Sequence, residues 1–289
     1  MMISSDERIA AAELEHLARS LRPPCQAGAY TLTGHVARTA TALLYTATGP
    51  VFSGREGVLK LTGSMYAPIL RRELALLSSC ADAEVEGVVR PQSRDLVWLS
   101  VGGPASDRPA AALALPLLSG GDLSVIAARA GRAGDLGSHL ALQVARPIAI
   151  ALSGMQTLLD APLAHGDVRP QNVLLPTPTS DVRDVQLIDL DAARDLLTAP
   201  EVAREDVRAF GGLLCLVSTG DGECAPVTHN KAFDVFVRNC LDVRYASMAV
   251  DAVWGDLQRA EEAQRALEGA SKRLAPGRWL ADLRRRARL

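Results

Sequence analysis

One short segment carries most of the structural information in this sequence: His165-Gly166-Asp167-Val168-Arg169-Pro170-Gln171-Asn172-Val173-Leu174-Leu175. Its first eight residues are mostly polar or turn-forming, and its last three are apolar. A second apolar run, Val185–Leu190, begins thirteen residues after Asn172 and contains Asp189. This order predicts a loop that presents Asp167 and Asn172, followed by two short strands with a second aspartate at the end of one of them.

The polar side chains of this region suit magnesium and phosphate chemistry. Two carboxylates and one amide oxygen at the rim of a loop are hard oxygen ligands, which Mg²⁺ binds together with phosphate oxygens. If Asn172 and Asp189 hold the metal, Asp167 remains to accept a proton from a hydroxyl group or to orient it. Each of these residues taken alone is also explained by the Asx turns that Asp and Asn make in loops. The complete pattern, with two apolar strands behind it, favours the metal site.

The pattern along the chain predicts strands in the first 120 residues and helices in most of the rest. Apolar runs between glycine-containing turns are typical of strands, and apolar spacings of three and four residues are typical of helices. The expected strands are Tyr30–Leu32, Leu43–Thr46, Gly57–Leu61, Val85–Val89, Leu96–Val101 and Ala111–Leu118. The expected helices in the first 160 residues are 4–21, Pro68–Ser78, Leu123–Ala130 and His139–Leu159.

The composition is that of an ordinary globular protein, and it excludes several classes of function. Of the 289 residues, 48% are apolar and 22% are charged, and the net charge of −2 provides no basic field for nucleic acid. No apolar run approaches the roughly 18 residues that a membrane span needs. Charged residues near the start argue against an export signal. Five cysteines without a C-x-x-C spacing favour neither disulfides nor zinc, so we expect a cytoplasmic protein.

The segment 165–175 resembles the catalytic loop H-R-D-L-K-P-x-N-V-L-L of the protein kinase-like superfamily. Ile188-Asp189-Leu190 resembles the start of the D-F-G motif of the same superfamily. The resemblance covers roughly residues 29–258. It implies an α+β, bilobal protein kinase-like fold, with an antiparallel β-sheet N-lobe and a mostly helical C-lobe.

The resemblance also implies a role for each polar residue of the loop. Asp167 would be the catalytic base, and Arg169 would replace the loop lysine that touches the γ-phosphate. Asn172 and Asp189 would be the ligands of the magnesium ion.

Two residues of the first half of the chain fit the same family. Val58-Leu59-Lys60 resembles the V-A-I-K strand, whose lysine grips the α- and β-phosphates of ATP. Glu73 follows thirteen residues later and resembles the helical partner of that lysine. Lys60 is one of only three lysines among 31 basic residues. Taken alone, Lys60 is also explained as a solvated strand residue and Glu73 as an exposed helix charge.

The resemblance implies ATP and Mg²⁺ as cofactors and a set of contacts to the nucleotide. Leu115 would be the gatekeeper residue, and Pro116 and Leu118 would offer a carbonyl and an N–H group to the adenine. Asp122 would lie near the ribose. The alternative interpretation of this stretch is a strand followed by a turn.

The glycine-rich loop of the family is degenerate in this chain. Its three glycine positions are occupied by Ala37, Thr39 and Ala42. Small residues still let a backbone approach phosphate, but they lack the freedom of glycine to adopt positive φ. We therefore expect a stiffer loop and weaker nucleotide binding.

Other departures concern the acceptor of the phosphoryl group. Gly166 replaces the arginine that senses phosphorylation of the activation loop, and H-G-D is also found in antibiotic-phosphorylating and other small-molecule kinases. Asp191 stands where D-F-G has glycine, and small-molecule kinases often carry an acidic residue there. Ala199-Pro200-Glu201 resembles A-P-E, but it lies only ten residues after Asp189. Either the platform that docks peptides is reduced, or the triplet is a coincidence.

The sequence therefore predicts an atypical ATP-dependent kinase that phosphorylates a Ser/Thr hydroxyl of a protein or peptide. Two alternatives stay open. One is a small-molecule kinase similar to aminoglycoside phosphotransferases, acting on a small hydroxylated molecule. The other is a pseudokinase that serves as a scaffold or binding module.

The chain is expected to divide into four parts. These are an N-terminal helical extension at 1–28, the N-lobe at 29–117, the C-lobe at 118–258 and a helical basic tail at 259–289. The tail ends in Arg284–Arg288, which either stabilises the last turn of a helix or docks an acidic protein partner or a membrane surface.

Overall fold

An antiparallel sheet forms the first part of the protein, and helices form most of the rest. The computed structural model describes residues 5–101, 108–130, 136–220, 228–242 and 250–274. The strands of the sheet are β1 (Cys25–Ala27), β2 (Tyr30–Arg38), β3 (Leu43–Thr48), β4 (Glu56–Thr62), β5 (Val97–Val101) and β6 (Arg108–Pro116). They pair antiparallel in the order β1-β2-β3-β4-β6-β5. The predicted α+β class is therefore confirmed.

Helices and two small strand pairs complete the described part of the chain. The helices are α1 (Ser5–Ser20), α2 (Ala67–Asp82), α3 (Leu123–Ala130), α4 (Leu136–Gln156), α5 (Glu201–Thr219), α6 (Lys231–Leu241) and α7 (Val250–Leu274). The short strands are β7 (Leu163–Ala164), β8 (Val173–Leu174), β9 (Gln186–Leu187) and β10 (Arg194–Asp195). β7 pairs with β10, and β8 pairs with β9.

The N-terminal helix α1 covers one face of the sheet. Leu14, Leu17 and Leu21 are buried in a core that includes side chains of β2, β3 and β4. The hydroxyl of Tyr45 on β3 donates a hydrogen bond of 3.1 Å to the carbonyl of Leu21. The helix therefore belongs to the sheet layer, and the opposite face of the sheet is left for α2.

Strand β4 divides its side chains between two cores, and this division positions Lys60. Leu59 and Leu61 join the core beneath α1, whereas Val58 joins the core that α2 shares with the later helices. Because side chains alternate along a strand, Lys60 lies on the same face as Val58. Lys60 therefore points toward α2 and away from α1.

Helix α2 presents one acidic residue within an apolar stripe. Leu70, Leu74 and Leu77 are buried in the core that α2 shares with Leu113 of β6 and with α4. Glu73 falls on the same helical face, since positions separated by three, four and seven residues line up. Glu73 is fully buried. A charge buried in such a stripe needs a partner, and Lys60 faces it.

The expected strand at Val85–Val89 is absent from the described structure, so that prediction was wrong. Glu84 and Gly87 adopt the left-handed backbone conformation, with φ of 53° and 75°, which interrupts an extended strand. Val88 makes only an isolated bridge to Leu187. The three valines of this segment are buried in the core without joining a sheet. The expected strand at Tyr30–Leu32 extends six residues further, to Arg38, and the other expected strands and helices are confirmed within four residues at their ends.

The later part of the chain bears on two further expectations. Helix α7 runs continuously across the expected division at 258/259. The basic segment Arg284–Arg288 lies outside the described residues. Within the described residues, every helix is too short or too polar to cross a bilayer.

Candidate active site

Lys60, Glu73 and Asp189 form a buried group where the sheet meets the loop after β9. The Lys60 ammonium donates hydrogen bonds to Glu73 Oε2 at 2.8 Å and to Asp189 Oδ1 at 2.5 Å. Lys60 comes from β4, Glu73 from α2 and Asp189 from the loop that follows β9. Three elements that are distant in the sequence therefore meet at a single cation.

Burial and charge act against each other in this group. Burial lowers the pKa of Lys60, but the neighbouring carboxylates of Glu73 and Asp189 outweigh it, and the pKa is raised. Burial raises the pKa of Glu73 to about 7, although Lys60 favours its charged form. No described group hydrogen-bonds to the second carboxylate oxygen of Glu73, Oε1. Lys60 therefore stays charged, and Glu73 is held by one oxygen only.

The predicted loop residues Asp167, Arg169 and Asn172 form a second group. Asn172 Nδ2 donates to Asp167 Oδ2 at 2.8 Å and to the Asp167 carbonyl at 2.9 Å. Arg169 Nε lies 3.0 Å from the same Oδ2 atom. Because both bonds of Asn172 use Nδ2, its amide oxygen lies on the side facing away from Asp167. The carboxylate of Asp167 keeps Oδ1 for another donor.

Asp206 of α5 holds the start of this loop. Its carboxylate accepts hydrogen bonds from the backbone N–H groups of His165 and Gly166 at 2.6 and 2.8 Å. Burial raises the pKa of Asp206 to about 7, against the lowering effect of these two bonds. A carboxylate that accepts two N–H groups fixes the backbone where the loop leaves β7. Asp206 is therefore a structural anchor of the loop.

His165 connects the loop to the residue before Asp189. Its Nδ1 atom accepts the N–H group of Asp167 at 3.3 Å, and its Nε2 atom lies 3.1 Å from the carbonyl of Ile188. This pattern fits a neutral ring that is protonated on Nε2. Burial lowers the pKa of His165, which also favours the neutral ring. The histidine thus serves as a fixed spacer between the two polar groups.

Two residues of the site adopt left-handed backbone conformations. Gly166 has φ of 78°, and a Cβ atom added there would lie 2.4 Å from the carbonyl oxygen of Ala192. Position 166 therefore requires glycine in this arrangement. Asp189 has φ of 67°, which is uncommon for a residue with a side chain. The surrounding contacts, including the bond to Lys60, hold this strained conformation.

Asp191 links the two groups electrostatically. Burial raises the pKa of Asp191, and the nearby charge of Asp189 raises it further. Lys60 acts in the opposite direction, and Asp167 adds to the increase. The charges of Lys60, Asp167 and Asp189 all act on the half-buried Asp191 carboxylate, so the two groups of polar residues lie near each other.

Leu115, Pro116 and Leu118, for which the resemblance implies contacts with adenine, lie at the end of β6 and just after it. Leu115 is buried in the same core as Val58, and Leu44, Leu118 and Ile188 pack against that core. Pro116 ends β6 opposite Gly57 of β4. The chain after β6 is held against the β8 region by hydrogen bonds from the N–H groups of residues 119 and 120 to the carbonyls of residues 176 and 175. Strand pairing places Leu44 opposite Lys60 and Val58 opposite Leu115, so these three apolar residues lie close to Lys60 on the sheet.

The hairpin turn between β2 and β3 occupies the position of the expected glycine-rich loop. Thr39 Oγ1 accepts the N–H groups of Thr41 and Ala42 at 3.3 and 3.0 Å, and the Thr39 N–H group donates to the Ala42 carbonyl at 2.9 Å. Ala42 is buried, and Ala37 lies on β2, half-buried. The turn therefore satisfies its own backbone groups.

Asp122 has a structural role that the sequence analysis did not assign. Its Oδ1 atom accepts the N–H groups of Ser124 and Val125 at 2.9 and 3.1 Å and also the Ser124 hydroxyl. This is the hydrogen-bonding pattern of a helix N-cap, here at the start of α3. All three of these hydrogen bonds are accepted by the same oxygen, Oδ1.

Two cavities lie apart from these groups. One, of about 310 Å³, is lined by residues that include Arg146, Ile150 and Arg183. The other, of about 380 Å³, lies between α2 and β5 and is lined by residues that include Leu74 and Trp98. Neither contains a predicted site residue.

The sequence analysis missed two residues that organise the site. Asp206 begins the segment Asp206-Val207-Arg208-Ala209-Phe210-Gly211, for which the sequence indicates a helix, and an acid among the apolar positions of a helix is a signal that could have found it. Arg72 hydrogen-bonds to two carbonyls after Asp189. Arg72 is one of two consecutive arginines before Glu73 in an arginine-rich sequence, and this gives no such signal.

Comparison with known proteins adds no family to this description. No protein-family model matches the chain, and no curated protein matches it.

Proposed function

We propose that this protein is an ATP-dependent phosphotransferase with a bilobal protein kinase-like fold. The observation that carries the proposal is the Lys60 ammonium, held by Glu73 at 2.8 Å and by Asp189 at 2.5 Å. A buried lysine between two carboxylates is well suited to bind the phosphates of a nucleotide while one carboxylate turns to a metal ion. The sheet followed by a mostly helical region supports the bilobal arrangement.

The apolar residues near Lys60 support adenine as the base end of the ligand. Val58 and Leu115 pair on neighbouring strands, and Ile188, next to Asp189, packs against the core that contains them. Nucleotide pockets combine an apolar lining with a few convergent polar groups. The ligand would then extend from these apolar residues toward Lys60 and Asp189.

The donor set fits a magnesium ion that is held jointly with phosphate. Asn172 and Asp189 supply the side-chain oxygens, and among the described residues no three His, Cys, Asp or Glu side chains could hold a metal by themselves. Mg²⁺ commonly uses one or two protein ligands and completes its shell with phosphate oxygens and water. When bound, the ion would neutralise the phosphate charge that develops during transfer.

Asp167 is the group that would receive the proton of the acceptor hydroxyl. Its Oδ2 atom is occupied by Asn172 and Arg169, so Oδ1 is available to accept a hydroxyl hydrogen. In the proposed reaction the hydroxyl oxygen bonds to the γ-phosphorus, its proton passes to Asp167, and the bond from the γ-phosphorus to ADP breaks. Arg169, which is half exposed, would offset the negative charge at this point.

The predicted acceptor is a Ser/Thr hydroxyl of a protein or peptide, and one observation favours a second candidate. Only five residues separate the end of β10 at Asp195 from the start of α5 at Glu201. Such a short connection provides little surface for an extended peptide. A small hydroxylated molecule is therefore the second candidate acceptor.

Calorimetric titration with ATP tests the nucleotide site directly. We expect binding that requires Mg²⁺ and that Lys60→Ala weakens by about tenfold or more. Lys231→Ala is the matched control, because the Lys231 side chain is 74% exposed and lies on α6, away from the site. Absence of binding at millimolar ATP would overturn the proposal and favour the pseudokinase alternative.

Turnover tests the transfer step separately. We expect Asp189→Asn to reduce magnesium-dependent ATP consumption by about a hundredfold or more, since it removes the negative charge from the single carboxylate among the two proposed metal ligands. Unchanged turnover in this variant would contradict the assignment of Asp189. Radiolabelled ATP offered with peptides and with small polyhydroxylated amines would then identify the class of acceptor.

A further inference from the structure

Arg72 forms a second bridge between α2 and the segment that follows Asp189. Its Nη1 atom donates to the carbonyl of Asp191 at 3.2 Å, and its Nη2 atom donates to the carbonyl of Ala193 at 2.5 Å. The planar guanidinium group suits this two-point contact, because its donors are held in a rigid fork. Arg72 is adjacent to Glu73 in the sequence, so the bridge lies one residue from the partner of Lys60.

The Arg72 hydrogen bonds restrain α2 in a way that its apolar contacts do not. Leu70, Leu74 and Leu77 bury α2 against the sheet and α4. Apolar packing is not directional and tolerates small sliding movements of a helix. Hydrogen bonds to fixed carbonyls specify the position of the helix more closely. Arg72 therefore fixes the position of α2 relative to the backbone at Asp191 and Ala193, next to the residue that contacts Lys60.

The two bridges respond differently to a ligand. If the proposed function is correct, the contact between Lys60 and Asp189 must open when the nucleotide binds, because Lys60 turns to the phosphates and Asp189 to the metal ion. The Arg72 bridge uses backbone carbonyls of residues that take no part in that exchange. It is therefore able to persist while the Lys60 contact changes.

We propose that Arg72 is a positioning residue that keeps Glu73 in contact with Lys60 by holding α2 against the backbone of residues 191–193. The effect of Arg72 on turnover rests on the proposed function. The underlying restraint on Lys60 is a property of the protein without ligand and is measurable in its absence.

Lysine labelling measures that restraint, because the chain contains only three lysines. A brief pulse of an amine-acetylating reagent modifies each lysine according to its accessibility, and mass spectrometry quantifies each site. The Lys60 side chain is 5% exposed and the Lys231 side chain is 74% exposed, so Lys231 is an internal reference. We expect Arg72→Ala to raise the ratio of Lys60 to Lys231 labelling by about fivefold.

The neighbouring arginine provides a matched control. Arg71→Ala makes the same substitution one position earlier on α2, at a side chain that lines the cavity between α2 and β5. We expect this variant to leave the labelling ratio unchanged and Arg72→Lys to give an intermediate ratio, since one ammonium cannot span both carbonyls. Equal ratios in Arg72→Ala and the unmodified protein, or equal increases in both alanine variants, would overturn the proposal.

Kinetics separate this inference from the proposed function. In an active protein we expect Arg72→Ala to lower kcat by about tenfold and to change KM for ATP by about twofold or less. An unchanged kcat would show that Arg72 does not position the reacting groups. Failure of the unmodified protein to bind ATP would overturn the proposed function, while the labelling ratio would still decide whether Arg72 restrains Lys60.

Discussion

The loop 165–172 and the hairpin turn Thr39–Ala42 would lie on opposite sides of the proposed nucleotide. They differ in how far along the chain the hydrogen-bonding partners of their polar groups lie. The loop is held by Asp206, 41 residues from His165, and by Ile188, 23 residues away. The turn is closed by Thr39 within three residues of itself. Tertiary structure therefore specifies the loop, whereas local hydrogen bonds specify the turn.

This difference separates the two parts of the proposed reaction. The loop carries Asp167 and Asn172, and its hydrogen bonds keep these side chains oriented. In the turn, the hydroxyl of Thr39 occupies the N–H groups of Thr41 and Ala42, which a bound phosphate would otherwise accept. The side chains of the loop are thus held by tertiary contacts, whereas the turn leaves few N–H groups for the phosphates of the proposed nucleotide. Substitutions in the loop should have large effects, and substitutions in the turn should have small ones.

The largest effect is expected at Gly166. Gly166→Ala must adopt positive φ and bring its Cβ atom to 2.4 Å from the carbonyl oxygen of Ala192. We expect this variant to lower the free energy of unfolding by about 3 kcal/mol. Urea denaturation monitored by circular dichroism measures the change.

Gly54 isolates the contribution of the clash. It has φ of 80°, close to the 78° of Gly166, but an added Cβ would meet nothing within 4 Å. Gly54→Ala therefore carries the cost of positive φ alone, about 1 kcal/mol. Equal losses in the two variants would mean that the loop relaxes away from Ala192 and is not fixed as described.

A smaller effect is expected from Asp206 in the dependence of stability on pH. Because its pKa is raised to about 7 in the folded protein, from an ordinary value of 3.8, the folded state binds more protons than the unfolded state between these values. The stabilising contribution is therefore complete below pH 3.8 and is lost as the pH rises through 7. The slope of one such group is at most about 1.4 kcal/mol for each pH unit.

Asp206→Asn removes this titrating group. We expect the free energy of unfolding of the unmodified protein to fall between pH 5 and pH 7 and the slope to be shallower in the variant. Glu73→Gln provides the comparison, since burial raises the pKa of Glu73 in the same direction. A slope in Asp206→Asn identical to that of the unmodified protein would show that the carboxylate anchoring the loop is already ionised at pH 5.

The same contrast explains what the sequence could and could not predict. The loop motif indicated that Asp167 and Asn172 lie together, and the spacing between Lys60 and Glu73 indicated that these two residues pair. Such pairs are predictable because a buried charged or polar side chain needs a partner of complementary charge or hydrogen-bonding type. The strand at Val85–Val89 was wrong, because an apolar run does not reveal the positive φ of Glu84. The local pattern of apolar residues therefore predicts which side chains are buried, but it does not predict the backbone conformation.

Hydrogen bonds from side chains to distant backbone carbonyls could also not be predicted from the sequence. Arg72 reaches the backbone of Asp191 and Ala193, and a backbone carbonyl carries no sequence signature. Asp122 has the residue type expected near a ribose but also caps α3, and both roles suit an aspartate at a helix start. Residue type alone does not distinguish such roles, whereas the positions of the acceptor atoms do.

The smallest effect is expected at the turn, and it tests whether the turn covers the nucleotide. Thr39→Val keeps the β-branched shape but removes the hydroxyl that occupies the N–H groups of Thr41 and Ala42. If these groups face the phosphates, their release should tighten ATP binding by about two- to threefold, measured by calorimetry. Thr39→Ser retains the hydroxyl and should bind as the unmodified protein does. Weaker binding in Thr39→Val would mean that the hydroxyl itself holds the phosphate, and identical binding in all three proteins would mean that the turn makes no contact with the nucleotide.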